Sequence, residues 1–574
     1  MYRCGPAQLR HSARRERASA GFSSVPPPHG GLLVPSRGVS RLRKRSPRRY
    51  VEGCRPNEVP MPRPHPDNYV DHPVTYGAEG HDWDLTVEVS VTSAQQRDRS
   101  VTYQEMPYGS VPWIPPLSVD ANDVAAQVSG IKKRLAQPLP HADPDVWQDI
   151  GHFVDRLCER IPVLDHLTTF EEWLSTREAY NEARKKELAD KFARLMGHAP
   201  NRAQRRSVAS FIKREAYMEW KQARWINSRS DYFKVYSGPA FASMEKVIYD
   251  LDLFGLGHSN FIKHVPVPDR PQVIQDTLLK SGCRYYGTDY TAFESHFLPA
   301  LMKAVECRIY KHMLKNFPDV ARVICGTLTG KNCGYTRSGV RFTCQARRMS
   351  GDMCTSLGNG LTNLILWAYL CEKKGIHWDG YVEGDDGIFR TDGPAPTVED
   401  FAGVGMTIKM ESAEDPADLS FCGCVYAGGA ILRNPVSFVQ SFGWSASHIG
   451  CSEKVLNELL RAKAMSAISE LGGCPVNSVI AKRALQLTEG SKARFVLDGY
   501  HTQQPDATLI QRQLARPITT EARLKFADLY GVSIEQQEQM ERDILAGVPL
   551  SEALASLSRP ESFVDFESRY VQVG

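Results

Sequence analysis

Tyr381-Val382-Glu383-Gly384-Asp385-Asp386-Gly387-Ile388-Phe389 constrains this chain more than any other stretch. Two adjacent carboxylates stand between glycines, with apolar or aromatic residues on each side. The pattern predicts a β-hairpin in which short apolar strands are joined by a tight Gly-Asp-Asp-Gly turn. Apolar flanks pack such a hairpin into a core and leave its turn holding negative charge at a cleft. Fixed carboxylates at this density suit a divalent ion, because Mg²⁺ and Mn²⁺ take oxygen ligands. Asp-Gly is also the commonest hairpin turn chemistry. A Gly-Asp-Asp triplet arises by chance in roughly one chain in ten of this length, so its meaning depends on what the rest of the chain supplies.

The chain has 574 residues, room for two to four domain-sized units or one large multi-lobed enzyme. Its 42% hydrophobic and 24% charged residues are ordinary for a protein with a sizeable core. The net charge of +4 hides an asymmetry: residues 1–58 carry thirteen Lys/Arg against three Asp/Glu, which leaves the remainder acidic. Any nucleic-acid channel must therefore come from local clustering. The fourteen cysteines are scattered without a CxxC pair, which predicts free thiols in a reducing, cytosolic compartment. The most apolar run, Leu364 to Cys371, is eight residues, short of the roughly twenty that span a bilayer. No intrinsic membrane anchor is expected, and the basic N-terminus lacks the apolar segment of a secretory signal.

Residues 1–60, rich in Arg, Ser, Pro and Gly, read as a disordered basic arm. An N-terminal extension over 61–160 follows, in which Asp84 to Val91 alternates with period two and predicts a strand. Helical patterns dominate from about 121 to 220. One run from Phe170 through Leu188 carries many charges on its outer face, with Thr168 and Thr169 as N-cap candidates. Residues 221–430 mix short strands with helices. Beyond 430 the chain reads as helical again, through Val455–Leu460 and Ile534–Leu557.

Three constellations accompany the acidic turn. In Gly287-Thr288-Asp289-Tyr290-Thr291-Ala292-Phe293-Glu294, Cys283–Gly287 reads as a strand with Asp289 at its C-terminal end facing a cleft. Nucleotidyl transfer needs two ions roughly 3.5–4 Å apart, held by carboxylates from separate segments, and Asp289 and Asp385 supply them if their strands are neighbours. An Asp after a strand is equally an ordinary cap. The second constellation, Ser350-Gly351-Asp352-Met353-Cys354-Thr355-Ser356-Leu357-Gly358-Asn359-Gly360, enters a mostly apolar helix. Its glycines allow close backbone approach to a ligand, and Ser350, Thr355 and Asn359 suit a ribose edge; the same residues would serve as helix caps. The third is basic: Lys213 and Arg214, then Lys221 and Arg224, then Arg229, interleaved with apolar residues. Arg and Lys suit phosphate oxygens, although a solvated basic face would look the same.

In this order the segments resemble the motifs of viral RNA-dependent RNA polymerases, with the nearest likeness to positive-strand groups around the tombusvirus-like and flavivirus-like enzymes. Asp289 to Glu294 resembles motif A, Ser350 to Asn363 motif B, Tyr381 to Phe389 motif C, and Lys213 to Arg229 the basic motif F. Gly405–Lys409 resembles motif D and Phe421–Cys424 motif E. The likeness covers about residues 165–430.

The resemblance implies an α+β right-handed palm, fingers and thumb, with an antiparallel palm sheet and largely helical fingers and thumb. It divides the chain into fingers over 161–282, palm over 283–297, a fingers insertion over 298–343, palm again over 344–430, and thumb with C-terminal tail over 431–574. It implies that Asp289 and Asp385 are the main ligands of two Mg²⁺ or Mn²⁺ ions, with Asp386 nearby and less essential. Lys221 and Arg224 would lie over the incoming triphosphate, with Lys213 lining its entry and Arg229 among the nucleotide-binding residues. Glu294 stands where the family usually has Asp, and would orient a ribose-reading network with Ser350, Thr355 and Asn359. Lys409 would protonate the pyrophosphate leaving group; an exposed lysine without a catalytic part is the competing account. The implied partners are an RNA template and product strand, NTPs, and viral or host replication proteins, in host cytoplasm at membrane-associated complexes. A reverse transcriptase and a non-catalytic viral RNA-binding protein are the rival readings. Gly384 before the acids and Asn359 argue against the first, and the ordered constellations against the second.

Overall fold

The computed structural model describes residues 74–77, 84–89, 103–119, 121, 124–178, 180–213, 215–446, 448–496 and 505–568. The expected basic arm over 1–60 and Arg214 lie outside the described residues.

A four-stranded antiparallel sheet carries the acids. Its order is Ile408–Ala413, Arg284–Tyr290, Asp386–Thr391, Trp378–Glu383, so the acidic hairpin lies directly beside the strand that bears Asp289. Register sets what faces what. Gly387 pairs with Thr288, and Lys409 pairs with Asp289 on the other side. Because side chains alternate along a strand, Tyr286, Tyr290, Phe389, Val382 and Ile408 point into one core, while Tyr285, Tyr381 and Ile388 point into another. The sheet is therefore a layer between two apolar masses, with its acids at one end.

The first core is centred on the Thr355–Lys374 helix, whose residues 357–371 are all buried. A helix apolar on every side belongs inside a protein, and this one ends at Gly375 in the left-handed region. Trp367 stacks on Phe389 with ring centroids 4.0 Å apart and planes 7° from parallel, fastening the helix to the hairpin. The second core joins the sheet to the C-terminal helices, Glu453–Leu471 and Asn477–Leu487 among them.

Three expectations need correction. The strand expected from Asp84 is present as Asp84–Val89, but the regions expected to be largely helical fingers supply further strands beside it, making a six-stranded sheet ordered Val74–Gly77, Asp84–Val89, Val340–Gln345, Lys331–Tyr335, Ser207–Ile212, Trp225–Arg229. Val340–Gln345 alternates buried and accessible residues with period two, the signature of a half-buried strand. The helix Val124–Leu135 covers this sheet through Val128, Ile131 and Leu135. The run from Phe170 is not one helix but two, Phe170–Ser175 and Glu182–Leu195. Thr169 and Glu172 form a capping box on the first, and Asn181 starts the second by accepting from Arg184 N. The run from Ile534 breaks at Gly547, whose φ is 87°, before a short helix Leu550–Ala553. Among the described residues no helix is long and apolar enough to cross a membrane.

Candidate active site

The acidic turn is a two-residue hairpin. Glu383 pairs with Asp386, leaving Gly384 and Asp385 at the tip, and Gly384 takes a φ of 65° that a side chain would strain. Asn363, one turn after Asn359 on the central helix, grips the tip from below. Its Nδ2 donates to the carbonyls of Gly384, Asp385 and Asp386 at 3.3, 3.1 and 3.2 Å. Flanking the turn, Glu383 is paired with Arg270 at 2.6 Å and Lys263 at 2.9 Å. Burial pushes the Glu383 carboxyl up, but these two cations outweigh it and hold it below the usual range.

The acids act on one another. Burial first, then the charges of Glu294 and Asp289, pushes the Asp385 carboxyl up to about 6, with Arg134 opposing. Burial, then Asp385, Asp289 and Glu383, pushes Asp386 up to about 7, with Arg224 opposing. Asp289, Glu294, Asp385 and Asp386 thus form one electrostatic group, with Arg134 and Arg224 as its cations. Among the described residues no group of three or more His, Cys, Asp or Glu side chains is placed to hold a metal ion. The donor set nevertheless fits a hard divalent cation, being all oxygen with carboxyls whose mutual repulsion a cation would relieve.

Beyond Asp289 the strand ends at Tyr290; the chain turns at Ala292, which has a φ of 51°, and enters a short 3-10 turn containing Glu294. The Glu294 carboxylate meets Arg134 Nη1 at 3.2 Å, and its backbone carbonyl accepts from Arg348 N at 3.1 Å. His296 in the same turn accepts from Thr407 N at 2.9 Å, tying this segment to the one before Lys409. Lys409 itself is exposed, opposite Asp289 across the strand pair.

The Ser350–Asn359 loop is pinned to the six-stranded sheet. Ser350 Oγ accepts from Asn227 N at 3.1 Å and donates to Trp225 O at 3.2 Å. Gly351 N donates to Asn227 O at 2.9 Å, and a Cβ at Gly351 would stand 2.8 Å from that oxygen, so only glycine fits. Thr355 Oγ1 donates to Asp352 O at 2.9 Å, and Asn359 Oδ1 accepts from Arg348 Nε at 2.9 Å. Arg348 also pairs with Glu306 at 2.6 Å, both side chains wholly buried. Ser350, Thr355, Asn359 and Glu294 are thus brought to one region, with Arg348 holding both Asn359 and the Glu294 backbone.

The basic residues divide. Lys213 and Arg224 share Glu215 at 3.2 and 3.6 Å, and Lys221 lies 5.3 Å over the Tyr217 ring. Arg229 does not reach the cleft. It is 2% exposed, forms a two-pronged pair with Asp352 at 2.7 and 2.9 Å, and donates to Asn332 at 2.6 Å. Its fork is fully used inside the protein, so it anchors the loop that bears Ser350.

Three participants had no assigned role in the sequence. Asn363 left a usable signal, its i,i+4 spacing from Asn359, which places both amides on one helix face. Arg134 and the Arg348–Glu306 pair left none, since their partners lie 160 and 42 positions away.

A sheet with acids from two neighbouring strands, backed by a glycine-bearing loop and a basic hairpin, is the arrangement of a templated nucleotide-polymerising fold. The chain belongs to the viral RNA-dependent RNA polymerase family, whose model matches residues 124–546. It is similar to the RNA-directed RNA polymerase of Melon necrotic spot virus, 23% identical over 274 residues, covering 45% of this chain and 34% of that protein. The RNA-directed RNA polymerase of Greasy grouper nervous necrosis virus is 28% identical over 145 residues, 23% of this chain and 14% of that protein. That of Striped jack nervous necrosis virus is 26% identical over 190 residues, 32% and 18% respectively. The matches therefore span at most about a third of these relatives' own length.

Proposed function

We propose that this chain copies RNA into RNA by nucleotidyl transfer from NTPs to a 3′-hydroxyl in replication of a viral genome. The observation that carries the reading is the acidic turn on a strand directly beside the strand of Asp289, with four carboxylates acting as one charge group. In this reading the four-stranded sheet is the palm, the six-stranded sheet belongs to the fingers, and the C-terminal helices are the thumb.

Asp289 and Asp385, with Asp386, would hold two Mg²⁺ or Mn²⁺ ions; when bound, these stabilise charge on the attacking oxygen and the triphosphate. Arg224, Lys221 and Lys213 receive the phosphates as the substrate arrives. Arg224 already acts on Asp386, which supports its place at the cleft. Glu294 and Asn359 face the ribose, and Lys409 donates the proton to departing pyrophosphate. Holding the turn still is the work of Asn363, because misplacement of reacting groups by even 1 Å costs about 10²-fold in rate. Arg202, Arg206, Arg337 and Arg341 line a surface concavity beside exposed Tyr335, a setting suited to phosphates and stacked bases of the RNA. Replication proteins of virus or host would bring the complex to a membrane in the host cytoplasm.

Purified protein should extend a primed RNA template with labelled NTPs in Mg²⁺ or Mn²⁺, and Asp385→Asn should abolish extension. Equal use of dNTPs on the same template would favour a reverse transcriptase, and full activity in the variant would remove the proposed site.

A further inference from the structure

The helix Val124–Leu135 precedes every motif named above, yet its last turn reaches the acid group. Arg134 Nη1 meets Glu294 Oε2 at 3.2 Å, with the two side chains 26% and 18% exposed. The helix is a firm support, because Val128, Ile131 and Leu135 are buried against the six-stranded sheet. Its end is tied down a second time where Leu135 O accepts from Arg347 Nε at 3.1 Å. The next residue, Arg348, donates its backbone N–H to Glu294 O and its Nε to Asn359. Arg347 and the preceding Ala346 are both in the left-handed region, at φ 71° and 54°, a strained connection that the surrounding contacts must maintain. Helix end, strained link, Glu294 and Asn359 therefore form one closed ring of contacts around the two side chains assigned to the ribose.

The extra methylene of Glu294 finds its reason in this ring. An Asp at this position would withdraw its carboxylate by one carbon and fall short of Arg134. With Oε2 taken by the guanidinium, Oε1 remains to accept from a hydroxyl.

We propose that Arg134 is a positioning residue for ribose selection: it aims the Glu294 carboxylate at the 2′-hydroxyl of the incoming nucleotide. This rests on the reading of the cleft as an RNA polymerase site. The test compares kcat/KM for ATP and 2′-deoxyATP on one primed RNA template in wild type, Arg134→Ala, Arg134→Lys, Glu294→Asp, and Arg134→Ala with Glu294→Asp. The expected result is a preference for ATP reduced tenfold or more in Arg134→Ala and less in Arg134→Lys, carried mainly by KM for ATP. Glu294→Asp should lose a similar amount, and the double variant no more than either single one. If both nucleotides slow together and the ratio holds, Arg134 only supports the fold and the proposal fails. Additive losses in the double variant also overturn it, since two residues acting through one carboxylate cannot add. Wild-type protein that incorporates neither nucleotide overturns the polymerase reading itself, whereas normal wild-type selection retained in Arg134→Ala overturns the role of Arg134 alone.

Discussion

Tyr290 Oη donates to Asn363 Oδ1 at 3.2 Å, and this bond decides which way the amide faces. With Oδ1 engaged, Nδ2 can only point at the three carbonyls of the acidic turn. The strand that carries Asp289 thereby sets, through one helix residue, the position of the turn that carries Asp385.

Asn363→Asp keeps the shape but replaces the donor with a carboxylate facing three carbonyls. We expect kcat to fall about 10²-fold through misplacement of the turn, with little change in KM for NTP. Tyr290→Phe removes a single neutral hydrogen bond of about 1 kcal/mol and should cost several-fold. Single-turnover extension with saturating NTP measures both, and unchanged rates in Asn363→Asp would dismiss the clamp.

Asp385→Asn should abolish synthesis and at the same time raise Tm in EDTA. The Asp385 carboxyl is pushed up to about 6 in the folded protein, above its unfolded value. Its contribution to stability is therefore fully present below the unfolded value and lost as pH rises through 6, so at pH 7 the ionised group opposes folding. An amide has no such charge. Thermal melts at pH 7 should show the variant ahead in EDTA and the gap closing when Mg²⁺ is added to wild type. Identical melts in EDTA would contradict the shared-charge account.

The pH profile of extension follows from the same groups. Without bound ions Asp385 and Asp386 lose their protons near 6 and 7, so at limiting metal activity should rise across pH 6–7 and then level off. Ions and protons compete for these oxygens, so tenfold more Mn²⁺ should move the midpoint to lower pH. A midpoint indifferent to Mn²⁺ would assign the titration to other groups.

Arg229→Ala should act on stability rather than on nucleotide affinity. It strands Asp352 as a buried, uncompensated charge, a loss of about 3–5 kcal/mol. Arg229→Met together with Asp352→Leu should recover much of that loss. Urea unfolding monitors the effect, and Lys221→Ala, which breaks no buried pair, is the control expected to raise KM for NTP without shifting the transition.

What could be read in advance follows from the range of each signal. The acidic hairpin, the strand of Asp289 and the buried helix after Ser350 show themselves within a few residues, through turn chemistry, alternation and apolar runs. Of the six-stranded sheet only Asp84–Val89 announces itself by alternation; Ser207–Ile212 and Val340–Gln345 are short strands whose partners lie far away, as in the parallel pairing of Ser207–Ala209 with Cys333–Tyr335. The fate of Arg229 was equally hidden. A guanidinium bound for phosphate and one bound for a buried carboxylate look alike until Asp352, 123 positions later, is folded against it.

The helix Val124–Leu135, which carries Arg134 in its last turn, bears on where a working fragment can begin. A protein expressed from the Lys213 motif onward would hold every acid of the cleft together with Lys213, Lys221 and Arg224, but not Arg134. It would also lose Val208 and the helix that covers Trp225 and Phe342, leaving an apolar sheet face bare to water. Such a fragment should associate through that face, and loss of activity on trimming would then reflect aggregation as much as chemistry.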